Sequence, residues 1–233
     1  SKSDCCPSLG GPIHVPHQTK VAVSLLLWTS VSRMRRALSS LVVSDLFDYT
    51  VALIVFANCQ NCTRQIRTVQ RLCGRYSIRL HLLGGQRNIG ITLARIGIFD
   101  LAVHQGFDLL LEMHDDMLFP FSWFQKLVQH MRPNVAIAMP RLVRCFPSSA
   151  TPRELEGKVA LLRGTEVCTN SLLNHPWLLN ISVVHRIGYY DPTLQPFMGE
   201  DEDLAATILL RHSGLEIVST AESVVGHFLT ASR

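Results

Sequence analysis

Residues 109–120 read LLLEMHDDMLFP, so His114, Asp115 and Asp116 stand directly after a run of leucines. A buried, unpaired carboxylate costs several kcal/mol or more, and adjacent acids at the end of a core segment therefore need water, a partner or a cation. Two neighbouring carboxylates at a partly wet position offer the hard oxygen ligands that suit Mg²⁺ or Mn²⁺, which complete their shells with water and phosphate oxygens. Aspartates at strand ends also cap turns, and the spacing alone leaves both uses open. A second acidic run, Glu200, Asp201, Glu202 and Asp203, opens a helical pattern, where the helix dipole stabilises each charge by about 0.3–1 kcal/mol. Four acids in succession exceed what a helix start needs. One of them facing a crevice, kept basic by its neighbours, is a candidate proton acceptor for a hydroxyl group.

The elements that must position these groups follow a repeating order. Apolar runs at 20–28, 49–58, 77–85 and 107–113 predict strands, and 3.6-residue periodicity predicts helices over 32–44, 63–74 and 92–106, the last two ended by Gly74 and Gly106. Beyond the aspartates, Ser122 reads as the cap of a helix stopped by Pro133, and 134–143 reads as a strand. Residues 144–180 are irregular and read as a binding surface, 199–214 reads as a helix closed by Gly214, and LEIVST and SVVGHF read as two short strands. Apolar strands alternating with helices predict an α/β fold with a mostly parallel central sheet flanked by helices, and a small irregular region. In such a sheet ligands bind beyond the carboxyl ends of the strands, which puts Asp115 and Asp116 at the mouth of a crevice.

With 233 residues and 47% hydrophobic content, the chain is long enough for one α/β domain. The reading is a linker or stem over 1–19 and one domain over 20–233. A net charge of +4 with only 7% aromatic residues speaks against dedicated nucleic-acid binding. No apolar run reaches the roughly 18–20 residues of a membrane span, and tethering through a segment upstream of Ser1 is compatible with the stem. The seven cysteines include Cys59-Gln60-Asn61-Cys62, a lone CxxC without the second pair a zinc site requires. The sequons at Asn61 and Asn180 have meaning only in a secretory lumen, so that compartment, including the Golgi, and the cytoplasm both stay open. His104, His130 and His212 read as surface or core residues.

In order along residues 21–228, the segments VAVSLLLW, SRMRRALSSL, NCQNCT, NIGITLARIGIFDLA, HDD, IGYYDPTLQPFMGEDEDLAATILLRHSG and VGHF resemble a GT-A-fold glycosyltransferase. The pattern is that of the large family 2 of inverting, nucleotide-sugar-dependent enzymes. The resemblance implies a Mn²⁺ or Mg²⁺ ion, a nucleotide-diphosphate sugar as donor, and a glycan, glycoprotein or glycolipid acceptor. It assigns Asp116 to the metal and Asp115 to the ribose or the metal's water shell. His114 stands where the family more often carries the first aspartate of Asp-x-Asp. Asn88, Gly90 and Arg95 match a segment lying under the nucleotide, Asp201 matches the catalytic base, and Glu200 lies beside it to position the acceptor. His227 falls where relatives supply a late metal or diphosphate ligand, with a satisfied strand-end histidine as the alternative. Gly199 and Trp177 are carried as acceptor contacts; Trp177 stacks on a sugar face or is a buried core residue.

Where the family usually shows base-reading acids after the second strand, this chain has Ala57-Asn58 and then Asn61. An amide both donates and accepts, so Asn58 can address a uracil or guanine edge, with UDP the first expectation and GDP next. A sugar-1-phosphate nucleotidyltransferase would carry a glycine-rich phosphate loop after the first strand, where WTSVSRMRR has no glycine. A catalytically silent nucleotide-sugar or glycan binder would have no use for a proton acceptor at Asp201.

Overall fold

Alternate residues of the first strand face opposite layers, and that alternation divides the core in two. The computed structural model describes residues 19–27, 30–84, 87–146, 175–194 and 200–228. Apart from Thr19, the expected linker lies outside them, as does Gly199. On one side of strand β1 (Lys20–Leu27), Val21, Val23, Leu25 and Leu27 pack with Met34, Leu38 and Leu41 of α1 (Val31–Leu41) and with Val69 and Cys73 of α2 (Thr63–Arg75). On the other side, Ala22 packs with Ala94, Ile98 and Ala102 of α3 (Ile91–His104). Small residues at the contact let α3 lie close to the sheet.

The remaining strands are β2 (Thr50–Ala57), β3 (Arg79–Gly84), β4 (Leu109–Met113), β5 (Met117–Leu118), β6 (Val135–Phe146), β7 (Trp177–Asn180) and β8 (Glu216–Phe228). They form one sheet in the order β3-β2-β1-β4-β7-β6-β8-β5. The first four are parallel, as expected from their alternation with helices. Beyond them the sheet is mixed: β7 is antiparallel to β4 and β6, β6 and β8 are parallel, and β5 is antiparallel to β8. The chain leaves β1 for β2 on one side and returns to β4 on the other, so a crevice opens between the carboxyl ends of β1 and β4.

Several boundaries differ from the sequence reading. Residues 216–228 form one strand, not two, because an irregularity against β6 between Pro140 and Arg141 absorbs the polar TAES segment without ending the pairing. The helix expected from Ser122 is short, α4 (Phe124–Val128), and Ser122 does not cap it. Its cap comes from a distant residue: the Asp45 carboxylate accepts the backbone N–H groups of Trp123, Phe124 and Gln125 at 3.2, 2.9 and 2.9 Å. Helix α2 runs past Gly74 to Arg75. Asn180 caps an additional helix, α5 (Ile181–Ile187), by accepting from Val183 N–H. The last helix, α6 (Glu200–Ala206), passes into a π-helical turn over Thr207–Arg211 and ends before Gly214.

Because three orphan N–H groups depend on one carboxylate, Asp45→Ala should lower stability by about 1–2 kcal/mol, with Asp45→Asn recovering part of it. Urea unfolding of the three proteins measures this.

Candidate functional site

Helix α3 carries a charge on its buried stripe. Ile91, Arg95, Ile98 and Ala102 recur at helical spacing, so Arg95 points toward the sheet, and it is only 5% exposed. A guanidinium cannot be neutralised by losing its proton, so its surroundings must supply acceptors. Arg95 Nη1 donates to Asp201 Oδ1 at 2.7 Å and to the Tyr190 hydroxyl at 3.3 Å, and lies 3.6 Å from Glu200 Oε1. Arg95 Nη2 lies 3.2 Å from His114 Nε2 and 3.1 Å from His175 Nε2. His175 is also 3.0 Å from Asp201 Oδ2 and is stacked between His114 and Trp177. Residues from α3, the β4 end, the start of β7 and the start of α6 thus converge on one cation.

The cluster continues into the sheet. Glu112, on β4 opposite Ser24 of β1, is 1% exposed; it accepts from the Tyr189 hydroxyl and lies 2.9 Å from the Tyr190 hydroxyl. Tyr189 stacks on Phe99 of α3 with ring centroids 4.2 Å apart. Burial, outweighing the pull of Arg95, raises both phenols well above the usual tyrosine range. Burial also dominates at His114, reinforced by His175 and Arg95, and holds it at about 3, so its imidazole is neutral at pH 7. Burial acts to raise the Asp201 carboxyl, but His175, Arg95 and Tyr190 outweigh it and hold the group well below the usual carboxylate range. This reverses the expectation that crowding keeps Asp201 basic. The neighbours that matter are donors and a cation, not the other acids of its run.

The opening aspartates occupy the turn between β4 and β5. Met117 of β5 pairs with His227 of β8, and this register sets His227 Nε2 3.3 Å from Asp116 Oδ2 across a large sequence separation. Burial raises the Asp116 carboxyl, while His227 and His114 lower it further, leaving it below the usual range. Asp116 Oδ1 and His227 Nδ1 are buried without a hydrogen-bond partner. A carboxylate and an imidazole with an unused buried oxygen are a donor set that fits a divalent cation. Among the described residues no three metal-ligating side chains converge, so two protein ligands would have to be completed by water and phosphate. Asp115 is 8% exposed and lines, with Asp116, Glu112, Arg95, His114 and Ser24, a cavity of about 280 Å³ at the crevice.

Other expected site residues are used differently. Asn58 is 1% exposed; it donates to Gly90 C=O at 3.2 Å and accepts from Ile89 N–H at 2.9 Å, which ties β2 to the loop before α3 and withdraws the amide from a base edge. Asn88 accepts from Gly90 N–H at 2.8 Å, and Gly90 has φ of 88°, a conformation that strains any residue with a Cβ. Trp177 is fully buried, so it packs on His175 and has no face free for a sugar. Cys59 and Cys62 pair with each other in a disulfide, leaving the CxxC no part in metal binding. Glu112, His175, Tyr189 and Tyr190 were missed. The signal for Glu112 was present, an acid inside an otherwise apolar strand, whereas nothing local marks the other three.

No family model and no curated protein matches the chain. Solved structures do. The chain is similar to GalNAc-T7 with UDP, GalNAc and Mn²⁺, at 15% identity and TM-score 0.69, covering 91% of this chain and 44% of that one. It is similar to the mannosyltransferase PcManGT from Pyrobaculum calidifontis in complex with GDP-Man and Mn²⁺, at 13% identity and TM-score 0.62, covering 92% and 58%. It is also similar to S. aureus TarS, at 13% identity and TM-score 0.62, covering 91% and 37%. This domain is therefore of the α/β class, with a mixed eight-stranded sheet flanked by helices. More narrowly, it has the GT-A fold. It spans between about a third and three-fifths of the length of those chains.

Removing the central cation should expose the acids around it. Arg95→Met should cost about 3–5 kcal/mol at pH 7, because it leaves buried carboxylates uncompensated. The folded Asp201 carboxyl titrates below its unfolded counterpart, so its contribution is complete at neutral pH and is lost only as pH falls through the low folded value. Asp201→Asn lacks that contribution at every pH, so the stability difference from wild type should shrink as pH falls. Urea unfolding between neutral and acid pH checks both.

Proposed function

We propose that this chain transfers a sugar from a nucleotide-diphosphate donor to an acceptor hydroxyl, with Asp116 and His227 holding a divalent cation at the donor's diphosphate. The observation that carries this reading is the Asp116–His227 pair at 3.3 Å, with a buried unpartnered atom on each, at the crevice mouth of a GT-A fold. Two of the similar structures hold a nucleotide or nucleotide sugar together with Mn²⁺. A cation bound there supplies Lewis-acid stabilisation of the charge that develops on the departing diphosphate.

The residues of the chain divide the remaining tasks. Asp115, at the cavity wall, takes the ribose or the cation's water shell. Asn58, Asn88 and Gly90 shape the loop that leads into α3 and so set where Arg95 stands. Arg95 orders the acids of α6 and the two histidines against the cavity. UDP donors come first in this reading and GDP donors next. Asp201 receives the acceptor proton in a single displacement with inversion at the anomeric carbon, and Glu200 beside it positions the acceptor. That role requires Asp201 to loosen from Arg95 as the acceptor enters, since the ion pair at 2.7 Å lowers its basicity. Product stereochemistry is the direct measure of the role.

Thermal melts with UDP, UDP-sugars, GDP and GDP-sugars, each with and without Mn²⁺, test donor binding. At a hundredfold excess over Kd, a true donor should raise the melting temperature by roughly 5–10 °C, with metal present only. Asp116→Ala and His227→Ala should abolish the metal-dependent part; an unchanged shift in Asp116→Ala defeats the reading. In a transfer assay, Asp201→Asn should lose about 10²–10⁴ in kcat while keeping the donor shift. A product of retained anomeric configuration removes Asp201 from the role of base.

A further inference from the structure

Two acids of the Arg95 cluster meet at one phenol, and counting hydrogens there decides where a proton sits. The Tyr190 hydroxyl lies 2.9 Å from Glu112 Oε2, 2.8 Å from Asp201 Oδ1 and 3.3 Å from Arg95 Nη1. A phenol has one hydrogen to give and two lone pairs to receive with. The guanidinium only donates, so it occupies one lone pair. The single phenolic hydrogen reaches one carboxylate. The other carboxylate must bring a hydrogen of its own, or two oxygens face each other at hydrogen-bond distance with no hydrogen between them.

The surroundings separate the two acids. Asp201 takes Arg95 Nη1–H at 2.7 Å and has His175 Nε2 at 3.0 Å, so its negative charge is compensated. Glu112 is 1% exposed, and its hydrogen-bond contacts among the described residues are the hydroxyls of Tyr189 and Tyr190. Charge points the same way. Arg95 faces Asp201 and Glu200 directly, with Glu112 one phenol away. Like-charged carboxylates in one desolvated cluster disfavour one another's ionisation, most of all at the acid that no charged donor contacts.

We propose that Glu112 carries a proton at neutral pH, donates it to the Tyr190 hydroxyl, and thereby leaves Asp201 as the ionised member of a pair joined through that phenol. Each hydrogen at the phenol and at Glu112 then has an acceptor: Glu112 Oε2–H to Tyr190, Tyr190 to Asp201 Oδ1, Arg95 Nη1 to Tyr190 and Asp201, and Tyr189 to Glu112 Oε1. The three groups form a proton wire. When the Glu112 O–H breaks as a Tyr190 O–H forms, and the original Tyr190 O–H breaks as an Asp201 O–H forms, the negative charge moves from Asp201 to Glu112. Nothing else is consumed. Glu112 and Tyr190 are positioning residues that act through Asp201. Their bearing on sugar transfer rests on the function proposed above, whereas the shared proton does not.

Infrared spectroscopy of the full chain at pH 7, with glutamate and aspartate ¹³C-labelled in separate preparations, tests this without donor or metal. The expected result is a protonated-carboxyl C=O band that shifts with the glutamate label and in D₂O and is lost in Glu112→Gln. Absence of the band overturns the proposal, as does a band that follows the aspartate label or one that survives in Glu112→Gln. In Tyr190→Phe the band should move to higher frequency as the acid loses its acceptor; an unmoved band excludes the wire. Glu112→Gln should melt within about 3 °C of the wild type, because an amide supplies both the donor and the acceptor that the neutral acid supplies. Melting as low as that of Glu112→Ala is the contrary outcome. Because no step of these measurements involves transfer, a failure of the wire and a failure of the proposed activity are told apart.

Discussion

A guanidinium that cannot give up its proton lies 5% exposed beneath the carboxyl edge of the sheet, and the architecture of the site follows from keeping it compensated. Arg95 reaches that place because α3 packs on the small residues of β1 and β2. Its partners come from widely separated parts of the chain: His114 after β4, His175 before β7, Tyr190 after α5, and Glu200 and Asp201 at the start of α6. Each partner is itself constrained by the others. His175 is stacked between His114 and Trp177, and Tyr190 is wedged between Glu112 and Asp201. A site of this kind is pre-organised, since moving one group leaves another buried and unanswered.

Two electrostatic poles result. Around Arg95, acids, imidazoles and a phenol surround a fixed positive charge. At the cavity wall Asp116, paired with His227 behind it, presents a carboxylate and an imidazole with unused buried atoms, the complement of a cation. His114 touches both poles, hydrogen-bonded to Arg95 and electrostatically felt by Asp116. In the proposed reaction a donor diphosphate asks for positive charge and an acceptor alcohol for a proton acceptor, and the two poles answer these demands separately. Keeping His114 neutral is part of that division, because a positive imidazole there would compete with Arg95 for the same acids.

Asp201 illustrates why an acidic run is not read reliably from its own neighbours. Glu202 and Asp203 lie beside it in sequence and argue for a raised carboxyl; Arg95, His175 and Tyr190 lie beside it in space and prevail. Asn58 and Trp177 repeat the lesson in the other direction. Residue types suited to base reading and sugar stacking are committed to backbone and to a histidine ring, and burial makes them scaffold.

Order, period and residue type were enough to reveal the first four strands and their parallel character, the helices α1 to α3, and the position of Asp115 and Asp116 past the end of β4, though not the order β3-β2-β1-β4 in which the strands lie. They were enough because strand alternation, helix periodicity and stop residues are local, and a carboxylate at the end of an apolar run is conspicuous against burial costs. The mixed half of the sheet, the Asp45 cap on α4, the register that brings His227 to Asp116, and the membership of Glu112, His175, Tyr189 and Tyr190 in the Arg95 cluster were decided only by tertiary structure. The physical reason is the same in each case. Pairing register, capping from a distance and charge compensation depend on which groups are brought within about 3 Å in a desolvated interior, and no spacing along the chain encodes that distance.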